Sequence, residues 1–226
     1  MDNPNTQPHR FLTRGTRRVW LAVLLGIAVA AWASLRGRAD EHHSVTRMSW
    51  DLIHLIGNVL DAGGFDSAKA ADGSQITLTG SGTWLSVPDK GEHRGDGAVT
   101  GGGTWETLDK NGASTGSGSY AVTGLVSFEN AGSNGVPPPA LIDKIGSYLD
   151  ARGGLLVLQV LYSDGERGVL TVSCHGPAHV PDTVFEGITA TKGIVGYVDR
   201  GKPAAGVDAN RTVFHVLPRR HDGDHD

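Results

Sequence analysis

Cysteine is almost missing: Cys174 is the only one in 226 residues. One thiol excludes an intramolecular disulfide, so a single hydrophobic core must hold the fold without staples. Aromatic side chains make up only 6% and charged ones 19%. The formal net charge of −4 removes the electrostatic case for nucleic-acid binding, which needs a basic surface. No Gly-rich segment is followed by Lys-Ser/Thr or by the start of a helix, so a phosphate cradle is excluded. Nor do the acidic residues form a pair suited to acid/base work; they are scattered through turns. No cofactor is expected. What abounds is glycine, 33 residues, about twice the usual share. It lacks a collagen period, and 38% hydrophobic content is too high for simple disorder. A β-rich globular domain with many turns is the class that remains.

The N-terminus reads as an export signal. Arg10, Arg14, Arg17 and Arg18 precede an uncharged run over residues 19–35, and Ala31-Trp32-Ala33 supplies the small-x-small pattern of a cleavage site. Thr16-Arg17-Arg18-Val19-Trp20-Leu21 is similar to the twin-arginine signal that carries folded proteins, with Trp for the usual Phe. The alternative is a retained anchor, since this run spans roughly 26 Å as a helix against a hydrocarbon core of about 30 Å. Either way the arginines stay cytoplasmic and the rest is exported, secreted or periplasmic. Membrane contact is expected only through residues 19–35, if the signal is uncleaved. Without the first 33 residues, which hold four Arg and one Asp, the remaining 193 carry 16 basic and 23 acidic side chains, net −7. Thirty-one glycines stay with this part, so glycine enrichment belongs to the mature fold.

The organisation follows as 1–33 signal or anchor, 34–47 polar linker, 48–218 a single β-domain and 219–226 a polar tail. His42 and His43 in the linker are a metal-binding alternative to a solvated tether. Residues 48–60 fit either a helical stripe or a strand. The clearest signal is a threefold Gly-x-Gly-x-aromatic repeat: Gly80-Ser81-Gly82-Thr83-Trp84, Gly101-Gly102-Gly103-Thr104-Trp105 and Gly116-Ser117-Gly118-Ser119-Tyr120. In the first copy Ile76, Leu78, Gly80, Gly82 and Trp84 share one strand face, with Thr77, Thr79, Ser81 and Thr83 on the other. Asp109-Lys110-Asn111-Gly112 predicts a type I′ hairpin between strands near 98–108 and 113–128. Gly pairs either let a ring lie over bare backbone, or let the strand bend at a barrel corner, or open a cavity inside a barrel. Beyond a Pro-rich loop, Leu141, Ile142, Ile145, Tyr148 and Leu149 recur at helical spacing and predict the one helix. Strands are expected over 155–162, 168–174, 184–191, 194–198 and 211–217. The sum is an all-β fold, a single antiparallel barrel or related sandwich with one short helix, preceded by the hydrophobic signal helix.

Those three Gly motifs, with Val184-Phe185-Glu186-Gly187-Ile188-Thr189 and Gly206-Val207-Asp208-Ala209-Asn210-Arg211-Thr212, resemble an uncharacterised group of exported bacterial β-rich proteins. The resemblance covers most of residues 62–217 and carries no catalytic residue. A more distant, fold-level likeness is to allene oxide cyclase and dirigent barrels; it implies an enzyme that cyclises or isomerises a hydrophobic substrate, but fold does not determine function.

Candidate chemistry is sparse. Cys174 and His179 stand in the C-x4-H spacing of a cupredoxin copper loop, yet no axial Met follows His179 where such a site needs one, and the chain runs on well past the single strand that normally follows. Cys174 as a nucleophile needs a nearby imidazole. His175 would point to the opposite face if Cys174 faces the core with Leu170 and Val172, leaving His179 or His215 as the base. His215 shares a face with Val213 and Leu217, as an inward core histidine or as an acid/base group that Glu186 and Asp208 join. His221, Asp222, Asp224 and His225 could chelate a metal weakly, against a disordered tail. Two readings lead: a noncatalytic exported barrel or related sandwich, with an interior pocket for a small apolar ligand near Trp84, Trp105 and Tyr120 or with a role at the cell surface, and the cyclase-like enzyme with His215, Glu186 and Cys174 as candidates; copper binding through Cys174 and His179 is a weaker third. An interior fully packed with those rings and aliphatic side chains would sink the ligand function of such an interior pocket. No feature sets the oligomeric state.

Overall fold

A computed structural model of the chain describes residues 46–86, 99–133, 135, 137–176 and 180–218. The export signal, His42, His43, His179 and the 219–226 tail lie outside the described residues. The strands are β1 (Thr46–Ile56), β2 (Val59–Ala62), β3 (Phe65–Lys69), β4 (Gln75–Thr79), β5 (Ser81–Ser86), β6 (Thr100–Leu108), β7 (Ser114–Ser133), β8 (Ile142–Asp143), β9 (Ala151–Tyr162), β10 (Arg167–Cys174), β11 (Gly187–Lys192), β12 (Val195–Tyr197), β13 (Asp199–Arg200) and β14 (Thr212–Val216). The ambiguous 48–60 segment is the β1–β2 hairpin, turned at Gly57 with φ 63°.

Six strands close a ring in the order β9, β14, β1, β5, β6, β7 and back to β9, every neighbour antiparallel. The all-β barrel expected from the strand pattern is therefore the architecture. β6, β7 and β9 extend beyond the ring. There β4, β3 and β13 continue from β6, and β10, β11 and β12 continue from β9. Two branch points result. One edge of β6 pairs with β5 at Gly101–Gly102 and with β4 from Trp105 onward, the two partners being one bent chain joined at Gly80. One edge of β9 pairs with β14 at Ala151–Arg152 and with β10 from Gly154 onward. At this second fork the wall of the sheet divides.

Rings fill the interior. Trp84 packs edge-on against Phe128 and Phe214 at centroid distances of 4.8 and 5.7 Å, and Trp50, Trp84 and Phe214 have no exposed surface. The glycine pattern serves this packing. A Cβ on Gly82 would stand 2.1 Å from the Thr100 carbonyl oxygen and 2.6 Å from Trp50 Nε1, and one on Gly80 would meet the Tyr120 hydroxyl at 2.2 Å. The ring over the first Gly pair thus comes from β1, not from the motif's own Trp84. Over the third pair lies Trp105, 3.2 Å from a Cβ on Gly116 and 3.0 Å from one on Gly118, with its Nε1 donating to the Ser119 carbonyl at 3.1 Å. Tyr120 donates its hydroxyl to the Thr79 carbonyl at 2.9 Å. Ring coverage and a corner at Gly80 are both realised. On the other face, hydroxyl pairs such as Thr79–Thr104 (2.7 Å) and Thr83–Thr100 (3.0 Å) keep the alternation polar.

Two local expectations change. The β6–β7 hairpin forms, but its turn is not type I′, which needs positive φ at both central residues. Only Gly112 in the turn has it, at 85°; Asp109 Oδ1 takes the Asn111 and Ala113 amides at 2.8 and 2.9 Å, and the pairing slips at Thr107/Leu108. The helix over 141–149 shrinks to one 3-10 turn, Tyr148–Asp150. Its start is captured by β2, with Ile142 N donating to the Asn58 carbonyl at 2.8 Å and Lys144 N to the Leu60 carbonyl at 3.1 Å. Residues 138–150 thereby become a strap across the outside of the barrel.

Candidate functional site

β1 and β14 are buried on both faces because the strap covers their outer side. Met48, Trp50, Leu52 and Phe214 point inward, while Ile53 and Val213 pack with Leu60, Tyr148 and Ala151, and with Leu141 and Ile145 at the margin. The strap does not fill the whole surface. Between it, the barrel wall and the fork at β9 remains a cleft of about 380 Å³, within the size range of small-molecule sites. Ile53, Leu55, Leu60, Leu141 and Val213 form its apolar side.

The strap is pinned by a buried pair. Asp143 Oδ1 accepts the Ile145 and Gly146 amides at 2.9 and 3.0 Å, and Oδ2 accepts from His215 Nε2 at 2.8 Å. The imidazole is 1% exposed, and its Nδ1 is buried without a partner. Burial pushes nearby Asp51 up to about 6, against the opposing pull of His215 and of the Ser49 hydroxyl. Asp143→Ala removes an acceptor from three donors at once. It is expected to cost about 2–4 kcal/mol and to speed amide exchange at Ile145 and Gly146, read by hydrogen-exchange mass spectrometry; unchanged exchange would show that the strap is held by its apolar contacts alone.

The polar end of the cleft forms where the sheet forks. Glu186 bridges the gap: Oε1 accepts the Thr212 amide and Oε2 the His175 amide, each at 2.7 Å. Burial raises Glu186 to about 7, against those hydrogen bonds and the charge of Arg211. His175 Nδ1 donates to the Val184 carbonyl at 2.8 Å; since a carbonyl only accepts, Nδ1 carries a proton. Arg211 is delivered by a loop stitched to two strands. Asn210, at φ 59°, accepts the Ser67 amide at 2.8 Å, and Asp208 accepts the Leu55 amide at 2.7 Å and pairs with His54 at 2.6 Å. Asp66, fully buried, accepts the Arg211 amide at 2.8 Å. Burial and then the charge of Glu186 hold its carboxyl well above the usual carboxylate range. Cys174 and Tyr148 also line the cleft. Burial, with the charge of Glu186, raises the Cys174 thiol.

The residues singled out from the sequence are therefore divided. Cys174 and Glu186 line the cleft. His215 faces outward under the strap rather than into the barrel, and its partner is Asp143; Asp208 joins His54 instead. Among the described residues no hydrogen bond links Cys174 with His175 or His215. Cys174 packs in the core with Leu170 and Val172, as the strand alternation predicts. Trp84, Trp105 and Tyr120 are interior or near-interior rings, at most 5% exposed. No cluster of three or more His, Cys, Asp or Glu able to hold a metal occurs among the described residues. Sequence reasoning missed Asp66, Asp143, Tyr148 and Arg211. Arg211 lies inside one of the motifs that carried the resemblance, but only the fold brings that motif against Glu186.

Fold and site define an all-β protein on a closed six-stranded antiparallel barrel, with its cleft outside the barrel wall. No family model matches the chain, and no curated protein or solved structure shows significant similarity to it.

Proposed function

We propose that this is an exported barrel protein that binds a small apolar ligand, without chemistry of its own, in the cleft between strap and barrel wall. The observation that carries this reading is the cleft itself, about 380 Å³ with one aliphatic side and one polar end, in a molecule whose barrel is filled by rings. The arginines and apolar run at the N-terminus support export. An isomerase reading draws on Glu186, whose value of about 7 suits a general acid or base. Both of its oxygens, however, are occupied by backbone donors that close the fork, and the thiol beside it is held protonated. Binding is the better supported of the two.

N-phenyl-1-naphthylamine, an uncharged apolar fluorophore, tests the cleft. Wild-type protein is expected to bind it, and Leu55→Trp, at the half-buried margin of the cleft, to weaken binding by tenfold or more with the thermal midpoint little changed. Leu141→Trp, on the strap, provides a second blocking variant. Equal binding by both folded variants, or no binding by wild type, would overturn the proposal.

A further inference from the structure

The ligand's polar group can be read from the donors that the protein leaves unmatched. Arg211 lines the cleft, yet its guanidinium makes no hydrogen bond or ion pair among the described residues, and Nε is buried without a partner. Tyr148, on the strap, lines the same cleft at 8% exposure, and its hydroxyl is buried and unpartnered. A guanidinium only donates, and it matches the two oxygens of a carboxylate with parallel N–H groups. A phenol can donate to the same group. Leaving the buried Arg211 Nε–H and Tyr148 hydroxyl unmet is costly, so an occupant that accepts from both gains those hydrogen bonds.

We infer that the ligand of this cleft is a small amphipathic carboxylic acid, its hydrocarbon part against Ile53, Leu55, Leu60 and Val213 and its carboxylate on Arg211, with Tyr148 as a second donor. The inference rests on the cleft being the ligand site, as proposed above.

The neighbouring acids do not cancel the arginine. Asp66 spends Oδ1 on the Arg211 backbone amide rather than on its guanidinium, and burial, followed by the charge of Glu186, pushes its carboxyl well above the usual carboxylate range. The two oxygens of Glu186 point at the Thr212 and His175 amides. Both acids influence Arg211 through space, but neither approaches it within ion-pair distance. An amine or other cationic head is disfavoured by the same arrangement, because it would face the guanidinium. An uncharged alcohol would meet one donor and leave the positive charge uncompensated.

The test compares three probes of equal chain length, decanoate, decan-1-ol and decylamine, by isothermal titration calorimetry on protein purified from its host at pH 6.5. Decanoate is expected to bind at least tenfold more tightly than decanol, and decylamine most weakly, since a charge-assisted hydrogen bond carries roughly that preference. Arg211→Gln should abolish the preference while leaving decanol binding within about threefold. Arg211→Lys should keep part of it, and it supports or overturns the inference alone if the Gln variant does not fold. Tyr148→Phe should weaken decanoate several-fold and decanol less. Decanoate binding no tighter than decanol, or an acid preference that survives Arg211→Gln, overturns the carboxylate while leaving the cleft standing. If none of the three probes binds and N-phenyl-1-naphthylamine does not bind either, the cleft reading itself has failed.

Discussion

Gly82→Ala is expected to yield no stably folded protein. The added methyl group would stand 2.1 Å from the Thr100 carbonyl oxygen, 2.6 Å from the Gly101 Cα and 2.6 Å from Trp50 Nε1. Two of these atoms are backbone of β6, paired to β5 at Gly82↔Gly101, and the third belongs to a ring with no exposed surface. No flexible side chain can move aside, so relief requires the β5–β6 pairing to open, and the barrel with it. A cost above about 4 kcal/mol follows from overpacking plus the lost pairing, a large part of the 5–15 kcal/mol that holds a typical domain. Gly103→Ala should fail likewise, its Cβ falling 1.9 Å from the Thr79 carbonyl oxygen. Gly116→Ala is the contrast: its tightest neighbour is the edge of Trp105 at 3.2 Å, with the Thr107 hydroxyl at an ordinary 3.6 Å, and it should cost about 1 kcal/mol. Urea denaturation followed by tryptophan fluorescence measures all three. A Gly82→Ala protein that unfolds cooperatively near the wild-type midpoint would refute the assigned packing.

The second large effect is on pH. Burial raises Glu186 from 4.5 to about 7 and Asp51 from 3.8 to about 6, so between these limits the folded chain holds protons that the unfolded chain has released. Stability must then fall as pH rises. The contribution is fully present below about pH 4 and is lost by about pH 7. At about 1.4 kcal/mol per unit, the two groups together amount to several kcal/mol, and Asp66 adds in the same direction. Asp61, Asp72, Asp109 and Asp164 act oppositely, their carboxyls being lowered by hydrogen bonds, but their window lies below 3.8. Maximum stability is therefore expected in mildly acidic solution. Asp51→Asn should match wild type near pH 4 and exceed it by about 1–3 kcal/mol at pH 8. Urea midpoints across that range provide the check, and a wild-type profile rising from pH 4.5 to 7 would contradict the burial of these acids.

Much of the barrel was legible because its signals are local. Ile76, Leu78 and Trp84 alternate as a half-buried strand must, and Asp109 to Gly112 announce a reversal whatever the turn type. The apolar spacing of Leu141, Ile145 and Tyr148 is equally real, but it arises from covering a curved outer wall; the same spacing suits a helix, and only the bridge to β2 decides between them. Glycine at 80 and 82 indicated a ring without saying which. Trp50 comes from a strand 30 residues earlier, and no periodicity connects the two. The site was least visible. Asp66 and Arg211 are 145 residues apart and Asp143 and His215 are 72 apart, so each pair exists only after the ring has closed.

The fork at β9 has a further consequence. Where β14 and β10 part, a single carboxylate, Glu186, takes the place of a missing strand, gripping one backbone amide on each side. The Arg211 Nε and the Tyr148 hydroxyl stand beside this seam without a hydrogen-bond partner among the described residues. On the proposed reading, closure and recognition fall to different side chains, so the second set can be exchanged for one that suits another ligand without unpicking the first.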